Sequence, residues 1–250
     1  MTNADVESIE RATLAAVAPA AVDEVEGWLI PFDTGVVGRA KSAVPLRHDV
    51  SPRAPVIEIE RRYASKGLPA LFRIAEVNAL DGTRDELLQL GYGKHKPTLV
   101  QIAAAQAAAG AFSGPAAEIS ALADDEWASV FLGEGFDPVE GASRVQTLRR
   151  AKGSLFARVR GEDGQTAAAG VLSLAHGWAS IHGMRTAQSQ RGRGHATRVV
   201  STLAAVALDK GFEWIVLQVE AGNTTAQRLY ARCGFTTAWS YAYWIKGLNK

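Results

Sequence analysis

The residues with the clearest chemical potential are the basic, glycine-rich run Arg191-Gly-Arg-Gly-His-Ala196 and the Thr197 that follows it. The apolar alternation from Ala179 to Met184 before the run predicts a strand, and the apolar spacing from Thr197 to Leu208 after it predicts a helix. A turn between such elements leaves the first N–H groups of the helix unpaired, with the positive end of the helix dipole behind them. Gly192 and Gly194 let that backbone approach an anion with no Cβ in the way, Ala196 is nearly as small, and Arg191 and Arg193 add charge. The chemistry this predicts is the binding of a diphosphate. The run is neither a P-loop nor a dinucleotide fingerprint, whose glycine spacings differ.

The elements that must position this turn can be read along the chain. Residues 4–18 predict a short amphipathic helix, and 27–32 with 36–44 predict a hairpin turning at Asp33-Thr-Gly35. A loop over 48–55, a helix over 56–66, a strand over 71–77, a helix over 80–90 and a strand over 98–102 follow. Residues 103–115 are rich in Ala, Gly and Ser and read as a linker. Beyond it come helical turns within 118–131, a hairpin of strands 154–160 and 167–174 turning at Asp163-Gly164, and a strand over 179–186. The phosphate-type turn and its helix end at Gly211, and then come a strand over 214–220, a helix over 224–232 begun by Asn223, and an aromatic strand over 237–245.

Composition narrows the class. The chain has 250 residues, 47% of them apolar, so a sizeable core is available. Its 27 basic residues are balanced by 26 acidic ones, which argues against nucleic-acid and anionic-membrane partners. The single Cys233 excludes an intramolecular disulfide and a multi-cysteine zinc site, and with no signal peptide or membrane-spanning run apparent, a cytoplasmic location is expected.

The chain also repeats itself. Lys66-Gly67-Leu68, a strand, a helix and Leu90-Gly91-Tyr92 run parallel to Lys210-Gly211-Phe212, a strand, a helix and Cys233-Gly234-Phe235. Two related halves are expected, divided into an N-terminal unit (1–102), a linker (103–115) and a C-terminal unit (116–250). In the first half the loop Asp49-Val-Ser-Pro-Arg-Ala-Pro55 has no glycines and two prolines that lack N–H donors, so that half is not expected to hold a diphosphate.

Arg191-Gly-Arg-Gly-His-Ala196 resembles the Arg/Gln-x-x-Gly-x-Gly/Ala signature of the GNAT N-acetyltransferase superfamily, and Asn223-Thr-Thr-Ala-Gln-Arg-Leu-Tyr-Ala-Arg-Cys-Gly-Phe235 resembles its second hallmark, Asn-x-x-Ala-x-x-Leu-Tyr-x-x-x-Gly-Phe. Both stand in the family's order and spacing, over roughly 118–247. The resemblance implies an α/β (α+β) fold with a splayed mixed sheet flanked by helices, here in tandem with an incomplete N-terminal copy. It implies acetyl transfer from acetyl-coenzyme A to a primary amine by direct attack in a ternary complex, without a metal. The acceptor is expected to be a small-molecule or peptide amine, and the protein a monomer or homodimer.

The resemblance also assigns roles. The cofactor would wedge between strands 179–186 and 214–220, the main chain of Met184, Arg185 and Thr186 pairing with its pantetheine arm. The N–H groups of Gly192, Arg193, Gly194, His195, Ala196 and Thr197 would take the pyrophosphate beside Arg191. Asn223 would contact the arm or cap its own helix, and Ala226 would leave room for the arm. Acetyl transfer expels a thiolate, which the Tyr230 phenol could protonate. At the position where some relatives carry a basic Glu this chain has Gln218, which has no basic function. His182, with the same parity as Met184 and an ordinary pKa of about 6.5, is the preferred base. Glu220 and His176 are lesser candidates, and removal of the proton by water is the remaining route. Cys233 and the tryptophans at 127, 178, 214, 239 and 244 read as packing or pocket lining. A coenzyme-A-binding sensor without catalysis is the alternative that Gln218 keeps open.

Overall fold

The computed structural model describes residues 1–49 and 55–247. Helix α1 (Asn3–Val17) is opened by a capping box, in which the Thr2 hydroxyl accepts from the Asp5 N–H and the Asp5 carboxylate from the Thr2 N–H. Strands β1 (Ala21–Val25) and β2 (Trp28–Phe32) form the first hairpin. It lies one strand earlier than expected, because Glu26 and Gly27, with φ of 48° and 78°, make the turn. Asp33 instead accepts from the Gly35 N–H in a local turn, and the following chain runs through a 3-10 turn at Gly38–Ala40 to the short β3 (Val44–Pro45). Val50 to Ala54, most of the loop read as lacking a phosphate turn, lie outside the described residues.

Helix α2 (Val56–Ser65), strand β4 (Leu71–Ala75), helix α3 (Asp81–Gln89) and strand β5 (Tyr92–Ala104) follow. The segment expected to be a linker is built into the fold: it finishes β5 and forms helix α4 (Ala105–Ala109), whose Ala105 and Ala108 are buried. Small side chains that read as flexible serve here for close packing, and the Ser201 hydroxyl donates to the Ala109 carbonyl. Next come β6 (Glu118–Ser120), α5 (Asp125–Leu132), and α6 (Pro138–Arg150), which the apolar spacing had not disclosed. Asp124 and Asp137 cap those helices through their carboxylates. The chain ends with β7 (Leu155–Arg160), β8 (Thr166–Ala175), β9 (Trp178–Thr186), α7 (His195–Asp209), β10 (Trp214–Glu220), α8 (Thr224–Arg232) and β11 (Thr236–Lys246).

One sheet of eight strands, in the order β4-β11-β5-β10-β9-β8-β7-β6, takes strands from both halves of the chain. β5 lies between β10 and β11, so the boundary expected at residue 102 falls inside a central strand. Only β9 and β10 run parallel; every other neighbouring pair in this sheet is antiparallel. On one face α4, α7 and α8 bury Ala108, Leu203 and Tyr230 against Ile181 and Leu217. On the other, Trp127, Phe131 and Leu148 of α5 and α6 pack on Ala169 and Val171, with α1 lying beside them against β8 and β9. Among the described residues no helix is long and apolar enough to cross a membrane.

Candidate active site

The parallel pair β9 and β10 creates the site by coming apart. Ala179, Ser180 and Ile181 pair with Ile215, Val216 and Leu217, and beyond them the ladder stops although both strands continue. Residues 182–186 and 218–220 therefore leave backbone groups facing a gap. On its far side β9 stays paired to β8, but with a register shift: Val171 faces His182 while Ala169 faces Arg185. The extra residue is accommodated at Gly183, with φ of 61°, as a bulge.

That bulge overturns the expected parity. His182 and Arg185 share the face of α1 and α6, where His182 lies beside Thr13, Ala16 and Val17. Met184 points the other way, its sulfur over Gly170 beside Val199 and Leu203 of α7. The phosphate-type turn continues from β9. Gly192 and Gly194 have φ of 79° and 80°, conformations that glycine adopts without a steric penalty. No atom lies within 4 Å of where a Cβ would stand on either glycine. Gly194 is the N-cap of α7 and offers no side chain, and among the described residues nothing accepts from the N–H groups of 192–197. Gly192 to Gly194 are exposed and His195, Ala196 and Thr197 half-buried, so these donors face outward from an open cradle. Burial, with the charges of Arg193 and Arg198, lowers the His195 pKa, which keeps that ring neutral.

The gap opens into a cavity of about 400 Å3 whose lining includes Met184, Arg185, Asn223, Ala226 and Tyr230. Asn223 serves as the α8 cap, its Oδ1 accepting from the Ala226 N–H at 3.1 Å. The two uses expected to compete are therefore compatible, because the amide nitrogen remains free to donate. Tyr230 is 8% exposed and stacks edge-on against Phe235, with the ring centroids 5.8 Å apart. Its hydroxyl has no hydrogen-bond partner among the described residues, and burial, with a smaller effect of Cys233, pushes its pKa up to about 12. The phenol thus carries its proton throughout the neutral pH range.

The base candidates are placed differently from one another. His182 is buried, neither ring nitrogen has a partner, and burial together with the nearby Arg39 pushes its pKa down to about 3. A base titrating near neutrality is therefore not found there, because a second charge is not tolerated beside Arg39 in a dry site. Glu220 lines the cavity from the exposed end of β10. His176 sits in the exposed turn between β8 and β9, at the opposite end of β9 from the gap. Gln218 is held in place, its Nε2 donating to the Thr13 hydroxyl at 3.1 Å and its Oε1 accepting from the Tyr241 hydroxyl at 2.8 Å. Cys233 is buried with its pKa raised by burial, which keeps it a thiol. Of the tryptophans, 127, 178, 239 and 244 are buried in the packing and Trp214 is partly exposed; none lines the cavity.

Sequence reasoning missed Arg39, Tyr241 and Tyr243, which also line the cavity. The tyrosines had a signal, since they alternate in the last strand. Arg39 had none, for it lies in an irregular segment that only the tertiary structure brings to the gap.

A parallel strand pair that separates beside an uncapped glycine turn defines an acetyltransferase of the GNAT type, and the protein is a GNAT-family N-acetyltransferase. More narrowly, the chain belongs to the family described as "Probable histone acetyltransferase Rv0428c C-terminal", whose model matches residues 3–244. It is similar to the uncharacterized N-acetyltransferase YobR of Bacillus subtilis, with 27% identity over 97% of this chain and 99% of that protein. Two solved structures share the fold. A GCN5-related N-acetyltransferase from Kribbella flavida matches with a TM-score of 0.68 at 16% identity, over 97% of this chain and 95% of that one. Another from Sphaerobacter thermophilus matches with a TM-score of 0.59 at 19% identity, over 98% of this chain and 93% of that one.

Proposed function

We propose that the protein moves the acetyl group of acetyl-coenzyme A to a primary amine by direct attack in a ternary complex, with the C-terminal half carrying the donor and the N-terminal half, a related but incomplete copy, shaping the acceptor side. Enzymes of the GNAT type use acetyl-coenzyme A as co-substrate, and it supplies the activated acyl carbon. The observation that carries the reading is the parting of β9 and β10 beyond Ile181 and Leu217, with Tyr230 and Ala226 lining the cavity opened there. The open N–H groups of 192–197 suit a diphosphate, and the gap-facing edge of β9 at 184–186, left without a strand partner where β10 parts from it, suits an amide-bearing arm.

In this reading Tyr230 gives its proton to the departing sulfur. His182, buried and held neutral, shapes the wall of the gap rather than taking the proton, and water takes the amine's proton. The pairing of the sheet supports the account of two related halves: β4 pairs with β11, β10 with β5, and β5 with β11, a pattern unchanged when the halves are exchanged.

Calorimetry with acetyl-coenzyme A and thiol release with a panel of amines test the proposal. Tyr230→Phe is expected to lower kcat by roughly 100-fold or more, the usual weight of a general acid, with the affinity for acetyl-coenzyme A nearly unchanged. Binding without thiol release from any amine would favour a sensor and remove the transfer reading.

A further inference from the structure

The cavity carries a charge that the donor does not explain. Its walls hold five cationic side chains, Arg39, Lys41, Lys96, Arg144 and Arg185, against one carboxylate, Glu220. Arg144 is paired with Glu140 at 2.5 Å, and Arg185 lies over the Phe136 ring. Arg39 is half-buried yet has no ion pair and no hydrogen bond among the described residues. Glu10, a buried carboxylate that feels the Arg39 charge, is paired directly with Arg73 at 2.6 Å.

Its place in the cleft separates Arg39 from the diphosphate turn. Arg39 also lines a small recess with Ser180, His182, Val216 and Gln218, at the inner end of the gap where β9 and β10 are still joined. The glycine turn follows the opposite, outer end of β9. Arg39 is held there by close packing: a Cβ on Gly38 would stand 2.8 Å from the Tyr243 ring, so this turn rests directly on that phenol. Beside it the Tyr241 hydroxyl gives its one proton to Gln218, and the Tyr243 hydroxyl, 3.4 Å from that of Tyr241, can be the donor of that contact or donate into the cavity.

A free guanidinium and a phenol at the dry end of a small cationic cavity form a receptor for an anion with two acceptor oxygens. We propose that the acceptor amine is a small molecule bearing a carboxylate, of the amino-acid type, and that Arg39 holds that carboxylate so that the amine faces the thioester. This rests on the transfer reading above. It also predicts that polyamines and lysine-rich peptides are poor acceptors, because their further cations meet Lys41, Lys96 and Arg185.

The test compares common L-amino acids with the matching amino-acid amides, and with a lysine-rich peptide, in thiol release. At least one amino acid is expected to exceed its amide by tenfold or more in kcat/KM. Arg39→Ala should raise the KM of that amino acid by roughly 10- to 100-fold, the weight of a charge-assisted hydrogen bond, and leave the KM of the amide and the affinity for acetyl-coenzyme A unchanged. Arg39→Lys, which keeps the charge and loses the fork, should fall between. Amides or the peptide used as well as the amino acids, or a KM indifferent to Arg39, would overturn the anchor while leaving acetyl transfer standing. If acetyl-coenzyme A binds but no amine is acetylated, the transfer reading fails instead. The anchor is then read by thermal shift of the coenzyme-A-bound protein with the same compounds: a carboxylate-dependent shift lost in Arg39→Ala supports it, and no such shift removes it.

Discussion

Acidification examines the placement of His182 directly. An imidazole in the unfolded chain titrates near pH 6.5, whereas this buried ring, beside Arg39, titrates at about 3 in the native protein. Between those values the unfolded chain holds a proton that the native chain does not, so stability is complete above about pH 6.5 and falls as the pH drops toward 3. At about pH 5 the binding-polynomial ratio gives a loss of roughly 2 kcal/mol relative to neutral pH from this residue alone. The figure barely depends on the native value once that lies below 4, because the proton uptake of the unfolded chain dominates it. His48, pushed down to about 4 by burial and by Arg73, adds a loss of the same sign and similar size. Urea unfolding at about pH 7.5 and pH 5, for the natural protein and for His182→Gln, isolates the His182 share. The variant is expected to lose about 2 kcal/mol less on acidification, with an unchanged m-value. Identical pH dependence in the two proteins would refute a buried, neutral His182, and with it the argument that this residue cannot store the amine's proton.

Two further outcomes follow from the same geometry. Gly194→Ala forces an alanine into the left-handed region at φ of 80° and places a methyl group in the open cradle, so unfolding should cost about 1 kcal/mol less and acetyl-coenzyme A should bind roughly tenfold or more weakly by calorimetry. Deleting residues 1–102 removes nearly all of β5 from between β10 and β11 and exposes the edges of both strands, so the fragment should be aggregated or unfolded by circular dichroism and size exclusion; a folded, fully active fragment would show that the N-terminal half is dispensable.

What could be read from the sequence was local. Asn223 and the glycines at 211 and 234 mark helix ends by short-range hydrogen bonding and backbone conformation, and α7 and α8 lie within a residue or two of their expected ends. The early hairpin was misplaced because both Gly27 and Gly35 are plausible turn residues, and the choice between them is made by the packing of Trp28 and Ile30 in the core and by the bond of Asp33 to Arg150. The bulge at Gly183 was invisible as well: a glycine in a strand pattern does not say that the next side chain changes face, yet that one residue separates His182 from Met184. Arg39 could not be found at all, since nothing within an irregular segment reports what lies across the fold.

The arrangement of the sheet brings residues of both halves to one gap. The phosphate turn, the unpaired edge of β9, the Asn223 cap and Tyr230 all come from the C-terminal segment, whereas Thr13, Arg39 and Lys41 reach the same gap from the N-terminal one. Gln218 is where they meet: it belongs to β10, beside the gap, yet its orientation is set by Thr13 of α1 on one side and by Tyr241, in the strand that pairs with β4, on the other. Substitutions in α1 or in the Gly38–Ala40 turn are therefore expected to reshape the wall of the gap around Gln218 without touching the amides of 192–197. Because β5 is built into the middle of the sheet, that wall is continuous with the strands that flank the gap, and under the proposed transfer the distance between amine and thioester would be set by the sheet rather than by a hinge between two domains.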